Sequence, residues 1–550
     1  MRVTPVYFFP SAFLGALLLS ALLLSVTGCT LVAVRPGGKG EVTVTGGAVA
    51  ADHILASEAG AAVLRMGGNA VDAAVAAALS SGVVQPSGSG LGGGGFALVV
   101  DSKGVSTFLD FRETAPAAAT HDMYLAAGTS SRSGGLAVAT PSEGLGLAEL
   151  EARFGRLTPA QVAAPAIAQA ENGFLRGVHL GKALADHAGM NALFVYSSDS
   201  AQPILRRPLL AKALRAWGDT AGRAFRDGWV AEDFVAAAKA AGGVLTLEDL
   251  KTYTVRERTP LRGAWHGYTV VTAPPPSSGG IAVLQMLQAT DGVEGLPCRI
   301  EAAKHAMADR AVFGGDPDFV AVDTATLLSP EHIAAVRADC GATTFPAAHY
   351  GALASPTDHG TLHISVMDAD GMAVALTTTI NTSFGSEVIA PASGIVLNNE
   401  MDDFMTQPGK PNAFGLMQSA NNAVAPGKRP LSSMSPTIVL GPDQKPVMSV
   451  GASGGPFIIT ATYQVIESAL LSGLNLHDAV SAPRWHHQWL PDLVTVEAAE
   501  TRQASLTGAG HALKSIPEPF CSVQAVRRLP DGSFDAASDP RKGGDAVVVR

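Results

Sequence analysis

The sequence predicts an α+β fold in which helices dominate the first part of the chain and β-strands dominate the part after Thr361. Alanine-rich segments with apolar residues at helical spacing recur between Ser57 and Phe313. After Thr361, short runs of apolar and β-branched residues are separated by turn residues. The chain has 550 residues, of which 47% are hydrophobic and 16% charged, so it can bury a large core and lacks the composition of a disordered protein.

Residues 1–29 have the pattern of an export signal. Arg2 precedes an apolar run from Ala12 to Val26, and small residues lead up to Cys29. Because Val-Thr-Gly-Cys resembles a bacterial lipobox, we expect Cys29 to be lipidated as the first residue of the mature protein, with residues 30–48 as a tether. A plain secretory signal and an uncleaved anchor helix are the alternatives. Each predicts a body outside the cytoplasm, and the lipobox predicts a lipid-anchored protein in the periplasm.

The segment from Ser57 to Leu79 predicts two helices that pack through alanines and are separated by Gly67-Gly68-Asn69. A hairpin is predicted from Ala97 to Phe111. Further helices are predicted at 144–154, 158–172, 210–217, 230–241, 281–289, 301–313 and 457–472. Further strands are predicted at 267–272, 362–367, 372–379, 436–440, 446–450, 493–497 and 522–527.

The glycine run before the hairpin formally contains a dinucleotide-binding pattern. Gly88, Gly90 and Gly93 satisfy G-x-G-x-x-G. That motif should leave a strand and open a helix, whereas this run enters the strand that begins at Ala97. We therefore interpret the glycines as a wall at which the backbone closely approaches a ligand or another strand.

Charge and cysteine content exclude some partners. The net charge of −10 gives no basic surface for nucleic acid, so we expect no nucleic-acid partner. Cys298, Cys340 and Cys521 lack the spacing of a zinc site. An oxidising compartment allows one disulfide, most economically between Cys298 and Cys340, although sequence leaves the pairing open. At least one thiol then stays unpaired.

The peptide Gly360-Thr361 stands at the start of the predicted hairpin of strands 362–367 and 372–379. If the chain were cut there, the new α-amine of Thr361 would have a pKa of about 7.7 to 8 and could act as base for its own hydroxyl. An ordinary surface hairpin is the alternative.

Ser453 is a rival nucleophile. Gly451-Ala452-Ser453-Gly454-Gly455 matches G-x-S-x-G, follows a predicted strand and opens a helix, as a serine-hydrolase elbow requires. Asp492 and His511 follow in the order that a triad needs. The same glycines also suit two other interpretations, a set of oxyanion-hole donors at a helix start or a plain tight turn.

Seven motifs resemble the γ-glutamyltranspeptidase family, in family order and from about residue 42 to the end of the chain. They are GGNAVDAA at 67–74, GLGGGGF at 90–96, DFRE at 110–113, PPPSSGG at 274–280, NNEMDDF at 398–404, KRPLSSMSPT at 428–437 and SDPRKGG at 538–544. The resemblance implies a four-layer αββα sandwich of the N-terminal-nucleophile hydrolase type. It also implies self-cleavage between Gly360 and Thr361 into a large chain, 49–360, and a small chain, 361–550, that stay together as a heterodimer.

The resemblance assigns catalytic roles by position. Thr361 is the nucleophile and its freed α-amine the base. Thr379 matches the second threonine, which hydrogen-bonds to the nucleophile and tunes it. Gly454 and Gly455 match the backbone donors of the oxyanion hole, which favours that interpretation of the Ser453 segment.

The resemblance also assigns substrate-binding roles. Arg112, Ser432 and Ser433 match the residues that grip the substrate α-carboxylate, since a guanidinium can bind both oxygens. Asn381, Glu400 and Asp403 match those that hold the α-ammonium. Two positions depart from the family pattern. Leu362 replaces a small or polar residue but should point away from the site. Phe414, in a segment that resembles the lid over the glutamate pocket, replaces the tyrosine of some bacterial members.

These assignments imply a γ-glutamyltranspeptidase and glutathione hydrolase. Thr361 would attack the γ-glutamyl amide of a glutathione-like substrate, and water or an acceptor amino acid or peptide would release the acyl group. No metal or organic cofactor is expected. A cephalosporin (glutaryl) acylase of the same fold is the nearest alternative, although it should lack the ammonium-binding acids. A catalytically inactive solute-binding lipoprotein is the alternative from another class.

Overall fold

A computed structural model describes residues 46–197, 203–341, 343–350, 361–407, 409–410, 412–517 and 520–549. The predicted signal with Cys29, most of the predicted tether and the cleavage residue Gly360 lie outside these ranges. None of the described helices is long and apolar enough to cross a membrane.

Each predicted helix and strand has a counterpart in the described part of the chain, and further helices and strands that were not predicted lie between them. The helices are α1 Ile54–Arg65, α2 Ala70–Val84, α3 Glu143–Phe154, α4 Pro159–Asn172, α5 Val178–Asp186, α6 Pro208–Thr220, α7 Trp229–Ala240, α8 Leu247–Thr252, α9 Gly279–Thr290, α10 Leu296–Phe313, α11 Thr324–Leu327, α12 Pro330–Ala338, α13 Phe457–Leu470, α14 Leu476–Ser481 and α15 Gln503–Gly508. The strands are β1 Gly47–Ala51, β2 Gly94–Val100, β3 Ser106–Phe111, β4 Phe174–Leu175, β5 Val195–Tyr196, β6 Ile204–Arg206, β7 Arg256–Arg258, β8 Leu261–Trp265, β9 Tyr268–Thr272, β10 Leu362–Asp368, β11 Ala373–Thr379, β12 Ile389–Ala390, β13 Ile395–Val396, β14 Thr437–Leu440, β15 Pro446–Ser453, β16 Trp485–His486, β17 Val494–Glu497, β18 Leu513–Ile516, β19 Ser522–Arg528, β20 Phe534–Ser538 and β21 Asp545–Val549.

Two antiparallel sheets stack face to face at the centre of the fold. The seven-stranded sheet has the order β21-β1-β10-β11-β2-β3-β7, and the six-stranded sheet has the order β20-β19-β15-β14-β9-β8. Helices that include α1, α2 and α4 share a buried core with the outer face of the first sheet. Helices that include α9, α10 and α13 cover the second sheet. These layers confirm the predicted α+β, four-layer αββα class.

Strand alternation decides what lies between the sheets near Thr361. Ile364 and Val366 of β10 belong to the core beneath the helices. The side chain of Ser365 points the other way and donates to the Gln524 carbonyl of the six-stranded sheet, 3.1 Å away. Leu362 lies on the helix side, against Gly88, so the prediction that it points away from the site is confirmed.

Glycine and asparagine shape the turns around the first helices and strand β2. Asn69 caps α2 through a capping box with Asp72, at the predicted break between α1 and α2. A Cβ atom on Gly93 would lie 1.9 Å from the Thr379 carbonyl oxygen. The glycine run is therefore a close backbone contact between strands, as predicted, and not a nucleotide loop.

The structure shortens the predicted tether and identifies the disulfide. The predicted tether 30–48 extends too far, because Gly47 and Ala48 are buried in β1, which pairs with β10 on one side and β21 on the other. Cys298 and Cys340 form a disulfide, whereas Cys521 is free and buried.

Candidate active site

Thr361 and Thr379 meet at one end of the β10–β11 hairpin. Leu362 pairs with Thr378, so the two threonines lie opposite each other on the face that looks toward the six-stranded sheet. Their hydroxyl oxygens are 3.2 Å apart and both residues are buried. The Thr379 oxygen also accepts a hydrogen bond from the Asn381 backbone N–H at 2.9 Å. Its own proton can therefore be donated to Thr361, which favours the deprotonated form of that hydroxyl.

Asn381 connects the threonine pair to the acidic segment. Its φ of 76° is in the left-handed region that asparagine tolerates. Its side-chain amide donates to the Asn399 carbonyl at 3.0 Å, and the Asn399 N–H donates to the Ile380 carbonyl. Glu400 is the next residue after Asn399. The contacts of Asn399 with the end of β11 therefore position Glu400.

Arg112 is buried and bound by the predicted ammonium-binding acids. One of its terminal nitrogens donates to Glu400 and the other to Asp403, at 2.5 Å for the second pair. Further donations go to the carbonyls of Pro430 and Leu431, at 3.3 and 3.2 Å. Burial alone would lower the pKa of Arg112, but the charges of Glu400 and Asp403 raise it above the ordinary value.

The site holds more carboxyl groups than its cations can neutralise. Burial raises the pKa of Glu400 and Asp403, while the charge of Arg112 acts in the opposite direction. Burial raises the pKa of Glu113 to about 8. Neither Glu113 oxygen has a hydrogen-bond partner among the described residues, although the Arg112 guanidinium lies 3.9 Å from one of them.

Ser432 and Ser433 follow the carbonyls that hold Arg112. The Ser433 hydroxyl accepts from Arg310 at 3.3 Å, and the Ser432 hydroxyl accepts from the Met434 N–H at 3.1 Å. Arg310 was not predicted. It is buried, which lowers its pKa to about 10, while Asp403 opposes this shift.

Besides the two Glu113 oxygens, two further buried polar atoms of this cluster have no hydrogen-bond partner among the described residues. They are the Glu400 oxygen Oε2, an acceptor, and the Arg310 nitrogen Nη1, a donor. A buried unpaired polar atom costs about 1 to 3 kcal/mol, and more when it is charged. An ammonium group would supply a donor for the Glu400 oxygen, and a carboxylate would supply an acceptor for the Arg310 nitrogen.

The segment that resembles a lid lies against the acids. The Asn412 side chain donates to Asp403 at 3.1 Å, and the Ala413 N–H donates to Asp402 at 2.6 Å. Phe414 is buried in the core. The structure thus gives Phe414 a packing role at the position where some bacterial members have tyrosine.

Comparison with known proteins decides the family. The chain matches the family described as Gamma-glutamyltranspeptidase over residues 56–549. The glutathione hydrolase proenzyme of Pseudomonas sp. (strain A14) is 37% identical over 95% of this chain and 97% of its own length. The chain belongs to the γ-glutamyltranspeptidase family.

Two solved structures share the fold of this chain. Cephalosporin acylase from Bacillus halodurans has a TM-score of 0.81 and 27% identity, covering 95% of this chain and 100% of its own. A chain of Helicobacter pylori gamma-glutamyltranspeptidase has a TM-score of 0.50 and 31% identity, covering 57% of this chain and 95% of its own. The acylase alternative is therefore a relative in fold, whereas the whole-chain family match supports the γ-glutamyltranspeptidase interpretation.

In the described part of the chain, the Ser453 segment does not form a catalytic triad. Among the described residues, the Ser453 hydroxyl contacts the Ser522 carbonyl and the Lys542 ammonium. The proposed triad members lie in other contacts. Asp492 pairs with Lys304 and His487, and His511 lies 3.7 Å from Glu301.

Lys542 is a residue that sequence reasoning missed. Its ammonium donates to the Thr361 carbonyl at 2.9 Å and to the Ser453 hydroxyl at 2.7 Å. It thereby joins Thr361, the predicted nucleophile, to the residue that precedes Gly454 and Gly455, which have positive φ of 135° and 57°. Lys542 stands inside the closing motif of the family, so the signal was present, but a motif alone does not say which of its charges faces the site.

Proposed function

We propose that this chain cuts itself between Gly360 and Thr361 and then acts as a γ-glutamyltransferase and glutathione hydrolase. The observation that carries the substrate class is the pair of unpaired buried atoms on Glu400 and Arg310. Glutathione and related γ-glutamyl amides end in an α-ammonium and an α-carboxylate on one carbon. Glu400, Asp403 and Asn381 would hold the ammonium, and Arg112 and Arg310 with Ser432 and Ser433 would hold the carboxylate.

The reaction then follows from Thr361. Its hydroxyl attacks the γ-carbonyl while its α-amine takes the proton, and the oxyanion accepts hydrogen bonds from the N–H groups of Gly454 and Gly455. The protonated α-amine of Thr361 then gives this proton to the leaving amine as the carbon–nitrogen bond of the substrate breaks. Water, or the amine of an acceptor amino acid or peptide, attacks the acyl-enzyme and frees Thr361.

The two-chain form is supported by the relatives. The Pseudomonas relative is called a proenzyme, and the solved H. pylori chain spans a little over half of this chain, as one of two cleavage products would. A lipid anchor at Cys29 and a periplasmic location remain part of the proposal on the sequence pattern alone.

A substrate pair separates this proposal from the acylase alternative. The assay compares a γ-glutamyl anilide with a glutaryl anilide, which is the same molecule without its α-ammonium. The glutaryl compound brings no ammonium to the buried carboxylates of Glu400 and Asp403. We therefore expect its kcat/KM to be lower by about 100-fold or more. Asp403→Asn should bring the kcat/KM values for the two anilides closer together. Equal or faster release from the glutaryl anilide by the wild type would contradict the proposal.

Lys542 should tune the amine of Thr361. A cation bound to the same residue disfavours protonation of the α-amine and lowers its pKa. Lys542→Met should therefore raise that pKa and move the acidic limb of the pH–rate profile upward by about 1 unit. Lys542→Arg should restore the position of the limb, and the exposed Lys514→Met serves as control. If the acidic limb of the pH–rate profile does not move in Lys542→Met, then Lys542 only holds the Thr361 carbonyl in place.

A further inference from the structure

We propose that His305, Asp339 and His349 form a binding site for a divalent transition metal, with Zn²⁺ as the ion that it fits. The site lies apart from the catalytic threonines. His305 is on α10, Asp339 follows the last residue of α12, and His349 is in the short helical turn Ala347–His349. A bound ion would join α10 to Asp339 and to the turn Ala347–His349.

The ligand atoms already converge on one point. The Nε2 atoms of His305 and His349 each lie 2.7 Å from the same Asp339 oxygen, Oδ2. One ligand atom from each of the three residues lies within 4.8 Å of the others. Ligands of a tetrahedral zinc ion at about 2.0 to 2.2 Å stand about 3.3 Å apart. To admit the ion, each imidazole nitrogen would withdraw from Asp339 by about 0.6 Å, and the two imidazole nitrogens, which lie within 4.8 Å of each other, would settle at about 3.3 Å.

Aromatic contacts hold the two imidazole rings. The His349 ring stacks on Phe345 with 4.4 Å between centroids and 16° between planes. The Tyr350 ring meets both His305 and His349 edge-on, at 4.7 and 4.9 Å. Rings fixed in this way lose little further freedom when a metal binds, which favours binding.

A covalent link fixes the third ligand relative to the first. The disulfide joins Cys340, the neighbour of Asp339, to Cys298 on α10. Cys298 and His305 are seven residues apart and so lie on the same face of that helix. The disulfide therefore brings Asp339 to the helix face that carries His305.

Donor type and exposure select the ion. Two imidazole nitrogens and one carboxylate suit Zn²⁺ and its neighbours, whereas Ca²⁺ and Mg²⁺ prefer oxygen ligands alone. The side chains of His305 and Asp339 are 18% exposed and that of His349 is 39% exposed, so water can supply a fourth ligand. Asp309, one turn beyond His305, adds negative charge and pairs with His332 at 2.8 Å.

Ordinary histidine–carboxylate pairs do not have this arrangement. His121 with Asp122 and His266 with Asp291 are exposed pairs that each place one imidazole on one carboxylate. Within the ranges that the structure describes, the 305–339–349 group alone brings three such side chains within metal-ligand spacing. His121→Ala is thus a matched control, since it removes an imidazole that has a carboxylate but no second histidine.

The test measures metal retention by the untagged full chain. Chelator-treated protein is dialysed against Zn²⁺ or Ca²⁺, and bound metal is determined by elemental analysis. We expect one Zn²⁺ per chain, no Ca²⁺ at this site, and a melting temperature that rises with Zn²⁺ concentration and falls again with chelator. His349→Ala and Asp339→Asn should each weaken Zn²⁺ binding at least tenfold, while His121→Ala should not.

A second measurement covers variants that fail to fold. Co²⁺ added to wild-type protein should broaden or shift the ring-proton NMR signals of His305 and His349 before those of other histidines. Zn²⁺ retention that is equal in wild type and folded variants, or Co²⁺ effects confined to other histidines, would overturn the site. Failure of wild type to retain Zn²⁺ would overturn it as well. None of these readouts depends on γ-glutamyl transfer, so they are separate from tests of the proposed function.

Discussion

Thr361→Ala should run as one chain on a denaturing gel and release no amine from a γ-glutamyl anilide. The variant removes the hydroxyl that we propose to attack both the Gly360 carbonyl and the substrate. Loss of a covalent nucleophile lowers kcat by about 10⁴-fold or more, because the remaining site still binds but cannot form the acyl-enzyme. The pairing of β10 with β11 runs through the backbone from Leu362 to Met367, so we expect truncation of the Thr361 side chain to leave the hairpin intact.

Two comparison variants make this result specific. Thr361→Ser keeps a hydroxyl and an α-amine, so it should still give two chains. Ser453→Ala tests the rival nucleophile and should also give two chains. If Ser453→Ala stayed uncut while Thr361→Ala was cut and active, the assignment of the nucleophile would be wrong.

Arg112→Ala should lower both substrate binding and stability. The change leaves Glu400 and Asp403 buried without their bound cation. Removing one member of a buried ion pair costs about 3 to 5 kcal/mol of unfolding free energy. The control Arg156→Ala removes an exposed pair with Asp370, 52% and 60% exposed, and should cost at most about 1 kcal/mol. Denaturant unfolding of the purified variants measures both.

Conservative and compensating variants separate the two effects of Arg112. Arg112→Lys keeps the charge but loses the planar pair of donors, so KM for a γ-glutamyl anilide should rise about 100-fold. Arg112→Met combined with Glu400→Gln and Asp403→Asn removes the buried charges together and should recover part of the stability without recovering activity. Full activity in Arg112→Lys would contradict a two-oxygen grip on the substrate carboxylate.

Much of the fold could be predicted from local sequence patterns. The break at Gly67-Gly68-Asn69 was readable because asparagine caps the helix that follows it. The β10–β11 hairpin was readable because its strands alternate and lie close in sequence, and that register alone places Thr361 opposite Thr379. By contrast, β1 was assigned in part to a tether, because its partners, β10 and β21, lie hundreds of residues away.

The catalytic residues divide in the same way. Motifs predicted Arg112, Glu400 and Asp403 as a set, but only packing revealed that Arg112 forms ion pairs with both acids. Arg310 gave no sequence signal, since an arginine on an amphipathic helix is ordinarily solvated. Its burial beside Ser433 depends on where α10 packs.

The sequence by itself determined the family, the order of helices and strands, and the peptide at which cleavage is expected, because these depend on local pattern and on motifs in a fixed order. Only the tertiary structure decided that Lys542 reaches Thr361, that Ser453 contacts Lys542 instead of a histidine, and that His305, Asp339 and His349 converge. Such contacts join residues far apart in the chain. Their geometry is set by how two sheets and their helices pack, which no local stretch of sequence specifies.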